Sequence, residues 1–330
     1  WEDRLLRMMG EAAGAYSLTL LTADAVWGVR DPQGLRPLCV GELVVDGAVV
    51  GHALASESVA LRAVGARLLR DVRPGEVVRI DGREVRSWQG PVAAPALCSF
   101  EYVYFARPDS RMESRSVVTV RERLGARLAR EAPADADVVI DVPDSGKPAA
   151  MGYARERGIP YREGLIKDRD LGRTFIEPNH ALRRDRIQLK YSPVAEVVSG
   201  QRVVVVDDSV VRGNTIGPMI RLLREAGARE VHVRVASPPV RHPCFMGVDM
   251  SDYDELIAHK LSIPQIGAAV GADSFAFLSV AGLREAVGEG LAAGAGHCEA
   301  CFTGSYPVAI PRTAAEKHRF EAHLAAEGPG

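Results

Sequence analysis

Val203-Val204-Val205-Val206-Asp207-Asp208-Ser209-Val210-Val211-Arg212-Gly213-Asn214-Thr215 is the stretch that decides the fold of this 330-residue chain. Four consecutive valines form a strand apolar on both faces, as strands of a covered parallel sheet are. The strand runs into two adjacent carboxylates, which places them at its carboxyl end, where open α/β sheets bind ligands. On an extended backbone the two carboxylates point to opposite sides. One is free to reach a ligand diol or a hydrated Mg²⁺, an ion that prefers one or two carboxylates supplemented by substrate phosphates. A helix is expected to start near Thr215 or Ile216. Its apolar positions Ile216, Met219, Ile220, Leu223 and Ala226 recur at three and four residues, and Gly227 stops it. N–H groups at that helix start, beside Ser209, Asn214 and Thr215, make a cradle for a phosphate. Asp-Asp alone fits an ordinary acidic turn equally well. The complete string points to a phosphorylated sugar.

A second turn has the same design. Asp141-Val142-Pro143-Asp144-Ser145-Gly146-Lys147-Pro148 follows an expected strand over 136–142 and precedes an expected helix over 148–157, which ends at Gly158. Gly146 permits close backbone approach, and the helix aims its amino end at the turn, which suits a second anion. A third segment, from Gly164 through Lys167, Asp168, Arg169, Asp170 and Arg173 to Ile176, is polar and cationic. Its positive charges suit a leaving anion whose charge builds as a bond breaks.

Read together, these three segments resemble the type I phosphoribosyltransferases, and within them the amidophosphoribosyltransferase family, also called glutamine phosphoribosyl-pyrophosphate (PRPP) amidotransferases. The resemblance extends over about residues 8 to 310. It implies formation of phosphoribosylamine from PRPP and glutamine-derived ammonia with release of pyrophosphate, the first step of purine synthesis. It implies that Asp207 and Asp208 bind the ribose hydroxyls and, with Ser145, help hold Mg²⁺. Ser209, Val210, Val211, Arg212, Gly213, Asn214 and Thr215 would hold the 5′-phosphate, and Asp144, Ser145 and Gly146 the pyrophosphate. Lys167, Arg169 and Arg173 match a flexible catalytic loop that closes over pyrophosphate and excludes water. Asp168 and Asp170 stand where the family has Asn and often Tyr, and residues 179–186 depart from its usual Gln-containing run. Two extra carboxylates in that loop are expected to weaken PRPP binding.

Residues 1–97 read differently, as short strands and turns. Ala15–Leu21 and Ala25–Val29 read as neighbouring strands, Gly41–Val50 as a hairpin around Asp46-Gly47, and Glu76–Ile80 as a strand before an Asp81-Gly82 turn. Gly14–Leu18, Asp31–Leu38, Ala55–Ser58 and Val72–Glu76 resemble the second half of the family's N-terminal-nucleophile (Ntn) glutaminase domain. The family's catalytic Cys, glutamine-binding Arg and Asp, and oxyanion Asn-Gly match no residue of this chain. The start at Trp1 reads as processed or truncated, and this chain alone is expected to use ammonia but not glutamine. A partial β layer is also expected to leave an edge or apolar face uncovered.

The expected fold is therefore α/β: a type I phosphoribosyltransferase parallel sheet with helices on both faces over 98–311, preceded by a partial Ntn-hydrolase glutaminase layer over 1–97 and followed by an expected helical tail over 312–330. Five cysteines complete the inventory. Cys298 and Cys301 form a C-x-x-C pair, while Cys98 and Cys244 are distant. The pattern by itself leaves zinc, an iron–sulfur cluster and unliganded thiols open. The flanking Cys98–Phe105, His242–Phe245 and Cys298–Gly304 resemble the cluster-bearing branch of the family. That implies a [4Fe–4S] centre on Cys98, Cys244, Cys298 and Cys301, structural and oxygen-sensing in role. Cys39 matches no ligand and reads as a core residue.

Composition is that of a globular protein, 47% hydrophobic and 25% charged, with a net charge of −2 that argues against a nucleic-acid partner. No apolar run approaches the roughly 20 residues of a membrane span, and no signal peptide is seen, so the cytoplasm is the expected location. By resemblance the chain is a homo-oligomer and is inhibited by purine nucleotides. Two other readings stay open: a non-catalytic PRPP- or nucleotide-binding regulator, and a phosphoribosyltransferase for a free base.

Overall fold

The computed structural model describes residues 1–82, 84–91, 93–168, 190–250, 252–288 and 296–310. Arg169, Asp170, Arg173, the run 179–186 and the expected tail helix lie outside the described residues.

The chain opens with a helix the sequence pattern did not announce, α1 (Glu2–Glu11), which buries Leu5 and Met9. Strands β1 (Ser17–Leu21), β2 (Val26–Arg30), β3 (Cys39–Val45) and β4 (Ala48–Ala55) follow, then a short α2 (Ser58–Ala63), then β5 (Ala66–Asp71), β6 (Glu76–Asp81) and β7 (Glu84–Gln89). They form two antiparallel sheets, in the orders β1-β2-β6-β7 and β4-β3-β5. The β3–β4 turn is the expected Asp46-Gly47 pair, with φ of 50° and 78°, the left-handed geometry that suits the strand twist. β1 is an edge, where Leu18 and Leu21 are exposed, Leu21 by 83%.

Strand β8 (Leu97–Cys98) leads into one π-helical turn over Glu101–Phe105, and β9 (Arg111–Met112) and β10 (Arg115–Ser116) lead into α3 (Val117–Glu131). Then come β11 (Val138–Asp141), α4 (Lys147–Arg157), β12 (Leu165–Lys167), β13 (Tyr191–Pro193), α5 (Ala195–Val198), β14 (Arg202–Asp207), α6 (Ile216–Glu225) and β15 (Glu230–Val235). The last elements are α7 (Ile257–Lys260), α8 (Ile263–Val270), β16 (Ser274–Phe277), α9 (Val280–Gly288), β17 (His297–Cys298) and α10 (Ala300–Thr303). β11, β14, β15 and β16 form one parallel sheet in that order.

Alternation along β14 sorts its valines between two cores. Val204 and Val206 join Val139, Leu124, Leu128, Ala150 and Leu283, on the face covered by α3, α4 and α9. Val203 and Val205 join Ile140, Met219, Leu223 and Ile266, on the face covered by α6 and α8. A strand covered on both faces must be apolar throughout, which explains the four-valine run.

Helices α3 and α4 cross at two glycines. A Cβ on Gly125 would lie 1.8 Å from the Ala149 carbonyl oxygen, and one on Gly152 would lie 1.9 Å from that of Glu122. The backbones touch, and this close approach fixes α4, whose amino end carries Gly146 and Lys147. Gly125→Ala or Gly152→Ala should force the helices apart and cost about 1–3 kcal/mol. Urea unfolding checks this; an unchanged midpoint would show that the crossing adjusts freely.

Candidate functional site

The site forms where β11 and β14 leave the sheet. Their parallel register sets Asp141 beside Val206, and the Val142 N–H donates to the Val206 carbonyl at 2.9 Å. The two following loops therefore start side by side. A Cβ on Gly146 would meet the Val206 carbonyl oxygen at 2.6 Å, so glycine is required for the loops to lie this close. The Pro143–Asp144 peptide is cis.

Asp207 and Asp208 are 8% and 6% exposed. Ser145 Oγ donates to Asp208 at 2.5 Å and Ser209 Oγ at 2.7 Å. The Asp208 N–H donates to Asp207 Oδ1 at 2.9 Å. Burial, then the charge of Asp208, push the Asp207 carboxyl well above the usual range. Burial also raises Asp208, against the pull of the Ser145 and Ser209 hydroxyls and the charge of Arg121. Two carboxylates this buried and close cannot both stay ionised without a cation. Asp207, Asp208 and Ser145 are the oxygen donors here that could hold a divalent cation, with ligand oxygens completing its shell. Among the described residues, no group of three or more His, Cys, Asp or Glu side chains is arranged to hold a metal ion by itself.

Beyond Asp208 the loop turns on Gly213, at φ 75°, where a Cβ would come within 2.5 Å of the Ile257 side chain. The Ile257 N–H donates to the Val211 carbonyl at 3.0 Å, and Arg212 pairs with Glu255 at 2.6 Å. Val210 is buried in the core. Of the seven residues 209–215, Val210 and Val211 thus anchor the loop and Arg212 is tied outward. Thr215 is the N-cap of α6 and makes no side-chain capping hydrogen bond. Across the site, Lys167 Nζ pairs with Asp144 Oδ2 at 2.9 Å. Asp168 N–H donates to the Lys190 carbonyl at 2.9 Å.

Three residues of this site gave no sequence signal. Arg121, on α3, is 2% exposed and donates to the carbonyls of Tyr102 (2.7 Å) and Ala106 (2.8 Å) while its charge acts on Asp208. Tyr161 donates to the buried Asp141 at 2.8 Å, beneath the first loop. Ser237, fully buried just beyond β15, has a hydroxyl with no hydrogen-bond partner among the described residues. Each comes from a segment remote from the motifs, and only the fold brings them in.

The four cysteines Cys98, Cys244, Cys298 and Cys301 share one core cluster, each 9% exposed. Cys98 and Cys298 are register partners on β8 and β17. Burial pushes the Cys98 thiol up to about 12 and that of Cys301 well up. Cys301 is raised further by Cys98, Cys244 and Cys298. The Met246 N–H donates to Cys244 Sγ at 3.3 Å. Cys39 lies apart, in the β3–β5 sheet core, as a buried residue should.

Two facing anion loops on a parallel sheet, with a buried acid pair between them, define a phosphoribosyltransferase. The model of the phosphoribosyl transferase domain family matches residues 114–242. The amidophosphoribosyltransferase of Synechococcus elongatus is 46% identical over 312 residues, covering 94% of this chain and 62% of that protein. The human amidophosphoribosyltransferase is 44% identical, covering 94% and 67%. The solved structure of the B. subtilis glutamine PRPP amidotransferase complexed with ADP and GMP superposes with a TM-score of 0.85 at 44% identity, covering 94% of this chain and 68% of that one. The chain belongs to the amidophosphoribosyltransferase family. It spans 61% to 62% of the length of the cyanobacterial and Drosophila melanogaster relatives. Among the described residues no helix is long and apolar enough to cross a membrane.

Arg121→Met should leave two helix-end carbonyls unpaired and Asp208 without its cation. A loss of roughly 3 kcal/mol or more is expected in urea unfolding; a loss under about 1 kcal/mol would show that the guanidinium is replaceable by solvent.

Proposed function

We propose that this chain transfers the 5-phosphoribosyl group of PRPP to ammonia, forming phosphoribosylamine and pyrophosphate. The buried Asp207–Asp208 pair, gripped by Ser145 from the facing loop, carries this reading. Asp207 and Asp208 bind the ribose hydroxyls. Ser209, Gly213, Asn214 and Thr215 with the start of α6 hold the 5′-phosphate, and Asp144, Ser145 and Gly146 hold the pyrophosphate. The lone pair of ammonia attacks C1 with inversion, the C1–O bond breaks, and its electron pair leaves with pyrophosphate. Lys167, with Arg169 and Arg173, offsets the charge gathering on that leaving group. No strong base is required, because free ammonia is already a nucleophile and its surplus proton is lost to water. Bound Mg²⁺, held by Asp207, Asp208 and Ser145, would supply further neutralisation of the pyrophosphate. Purine nucleotides are proposed inhibitors, since ADP and GMP are bound in the B. subtilis relative.

We further propose a [4Fe–4S] cluster on Cys98, Cys244, Cys298 and Cys301. It would supply a structural tether sensitive to oxygen. Cys98, Cys244 and the Cys298/Cys301 pair come together in one buried core, with Cys98 and Cys298 register partners on β8 and β17, and this supports a four-thiolate donor set. Thiolates around a single zinc sit roughly 3.8 Å apart, given Zn–S bonds of about 2.3 Å. A cubane holds its four thiolates wider apart, and bound zinc in place of iron and sulfide would reject the cluster. A reducing cytoplasm suits such a centre.

Pyrophosphate release from PRPP should occur with ammonia, and should fall on the order of a hundredfold or more in Asp208→Asn. Release only with a free base would establish a base phosphoribosyltransferase. PRPP binding without release under any acceptor would establish a regulator. In the loop, Asp168→Asn with Asp170→Tyr should tighten PRPP binding severalfold in calorimetry, because two negative charges are removed from a loop that binds an anion; unchanged affinity would sink the idea that these two acids weaken binding.

A further inference from the structure

The loop Asp31–Arg36 of the β-rich region is unusually well tied down. Asp31, fully buried, accepts from the N–H groups of Tyr16, Gln33 and Leu35 at 3.1–3.3 Å. Arg30, also buried, donates to the carbonyls of Gly34 (2.8 Å), Arg36 (2.8 Å) and Val72 (2.6 Å). A guanidinium spread over three carbonyls and a carboxylate spread over three N–H groups leave this loop little freedom.

That rigid loop meets the cysteine cluster directly. The Cys98 N–H donates to the Leu35 carbonyl at 3.0 Å, and the Ala96 N–H to that of Gln33 at 2.8 Å. The Arg36 side chain reaches further. Nη1 donates to Glu101 Oε1 at 2.8 Å, three residues beyond Cys98, and Nη2 donates to the Met246 carbonyl at 3.1 Å, two residues beyond Cys244. Its guanidinium also lies over the Phe105 ring, 5.5 Å from the centroid. The Glu101 side chain is 8% exposed and that of Arg36 20%, so this pair is shielded from water and holds firmly. Met246 in turn donates its N–H to Cys244 Sγ. One side chain from residues 1–97 therefore clamps two of the four cysteine-bearing segments.

We propose that Arg36 is a positioning residue for the four-thiol centre: it fixes the Cys98 and Cys244 segments relative to each other and supplies a fixed positive charge beside the cluster. The inference rests on the cluster reading above. A cluster bearing four thiolates is anionic. A nearby buried cation favours its more reduced, more negative state and opposes ligand loss.

The test uses the full chain, purified without oxygen, as wild type, Arg36→Lys, Arg36→Met and Glu101→Gln. Iron and sulfide content, bleaching by a chelator, and the midpoint potential are measured. Wild type should carry four irons per chain. In Arg36→Met the chelator should bleach the centre roughly tenfold to a hundredfold faster, and the midpoint potential should fall. Arg36→Lys keeps the charge but not the two-armed clamp, so it should bleach faster while holding a potential near wild type. Glu101→Gln, which keeps the shape of the contact, should bleach at an intermediate rate and covers the case in which Arg36→Met fails to fold. Equal bleaching and potential in all four proteins would overturn the role of Arg36 with the cluster intact. A wild type lacking iron would instead overturn the cluster reading, and this inference with it.

Discussion

Two carboxylates buried side by side at the end of β14 are the constraint on which the rest of the structure depends. Their mutual repulsion is strong in a medium of low dielectric constant, and burial adds a desolvation cost. The fold answers with graded help. Two hydroxyls, Ser145 and Ser209, and one buried guanidinium, Arg121, serve Asp208. Asp207 accepts the backbone N–H of Asp208, and burial and the neighbouring carboxylate raise it well above the usual range. Under the proposed function, that residual charge stress is what a bound cation and the ribose hydroxyls would relieve. A protein selected for stability alone would not keep such a pair in its core.

Arg121 also joins two parts of the molecule. It caps the π-helical turn that follows Cys98 through the Tyr102 and Ala106 carbonyls, while its charge acts on Asp208. Arg36 grips Glu101 on the same turn. The turn over Glu101–Phe105 is thus held from one side by the β-rich region and from the other by the helix behind the acid pair. Other ties between these regions are polar as well: Glu57 accepts from Ser110 Oγ at 2.7 Å and from Arg107 N–H at 2.8 Å, and Asp71 accepts from Glu113 N–H at 2.9 Å. Such bonds fix orientation more sharply than apolar contact, because their geometry is directional.

What the sequence made legible was what is local. The valine run, the Asp46-Gly47 hairpin, the Gly158 and Gly227 stops and the two strand-to-helix loops are each written within about ten consecutive residues, and each stands where expected to within two residues. The expected strand over 136–142 shortens to Val138–Asp141, the four residues in ladder register with β14. What stayed hidden depends on pairs distant in sequence. Tyr161 meets Asp141 across 20 residues, Ser145 meets Asp208 across 63, and Arg36 meets Met246 across 210. No periodicity or motif encodes such a pair. Helix α1 was missed for another reason: much of its length is polar, and only Leu5 and Met9 are buried.

The register of β11 on β14 turns two separate phosphate loops into one site. Asp141 pairs with Val206, one residue short of Asp207, so the first loop leaves the sheet beside the strand that still carries the acids. With Gly146 backed against the Val206 carbonyl, Ser145 is brought across to Asp208. A slip of one residue would turn every side chain of β11 to the other face, removing Val139 from one core and Val138 and Ile140 from the other. The apolar faces of β11 thus hold in register a polar contact that no apolar residue makes. The packing that stabilises the sheet is the same packing that aligns its loops.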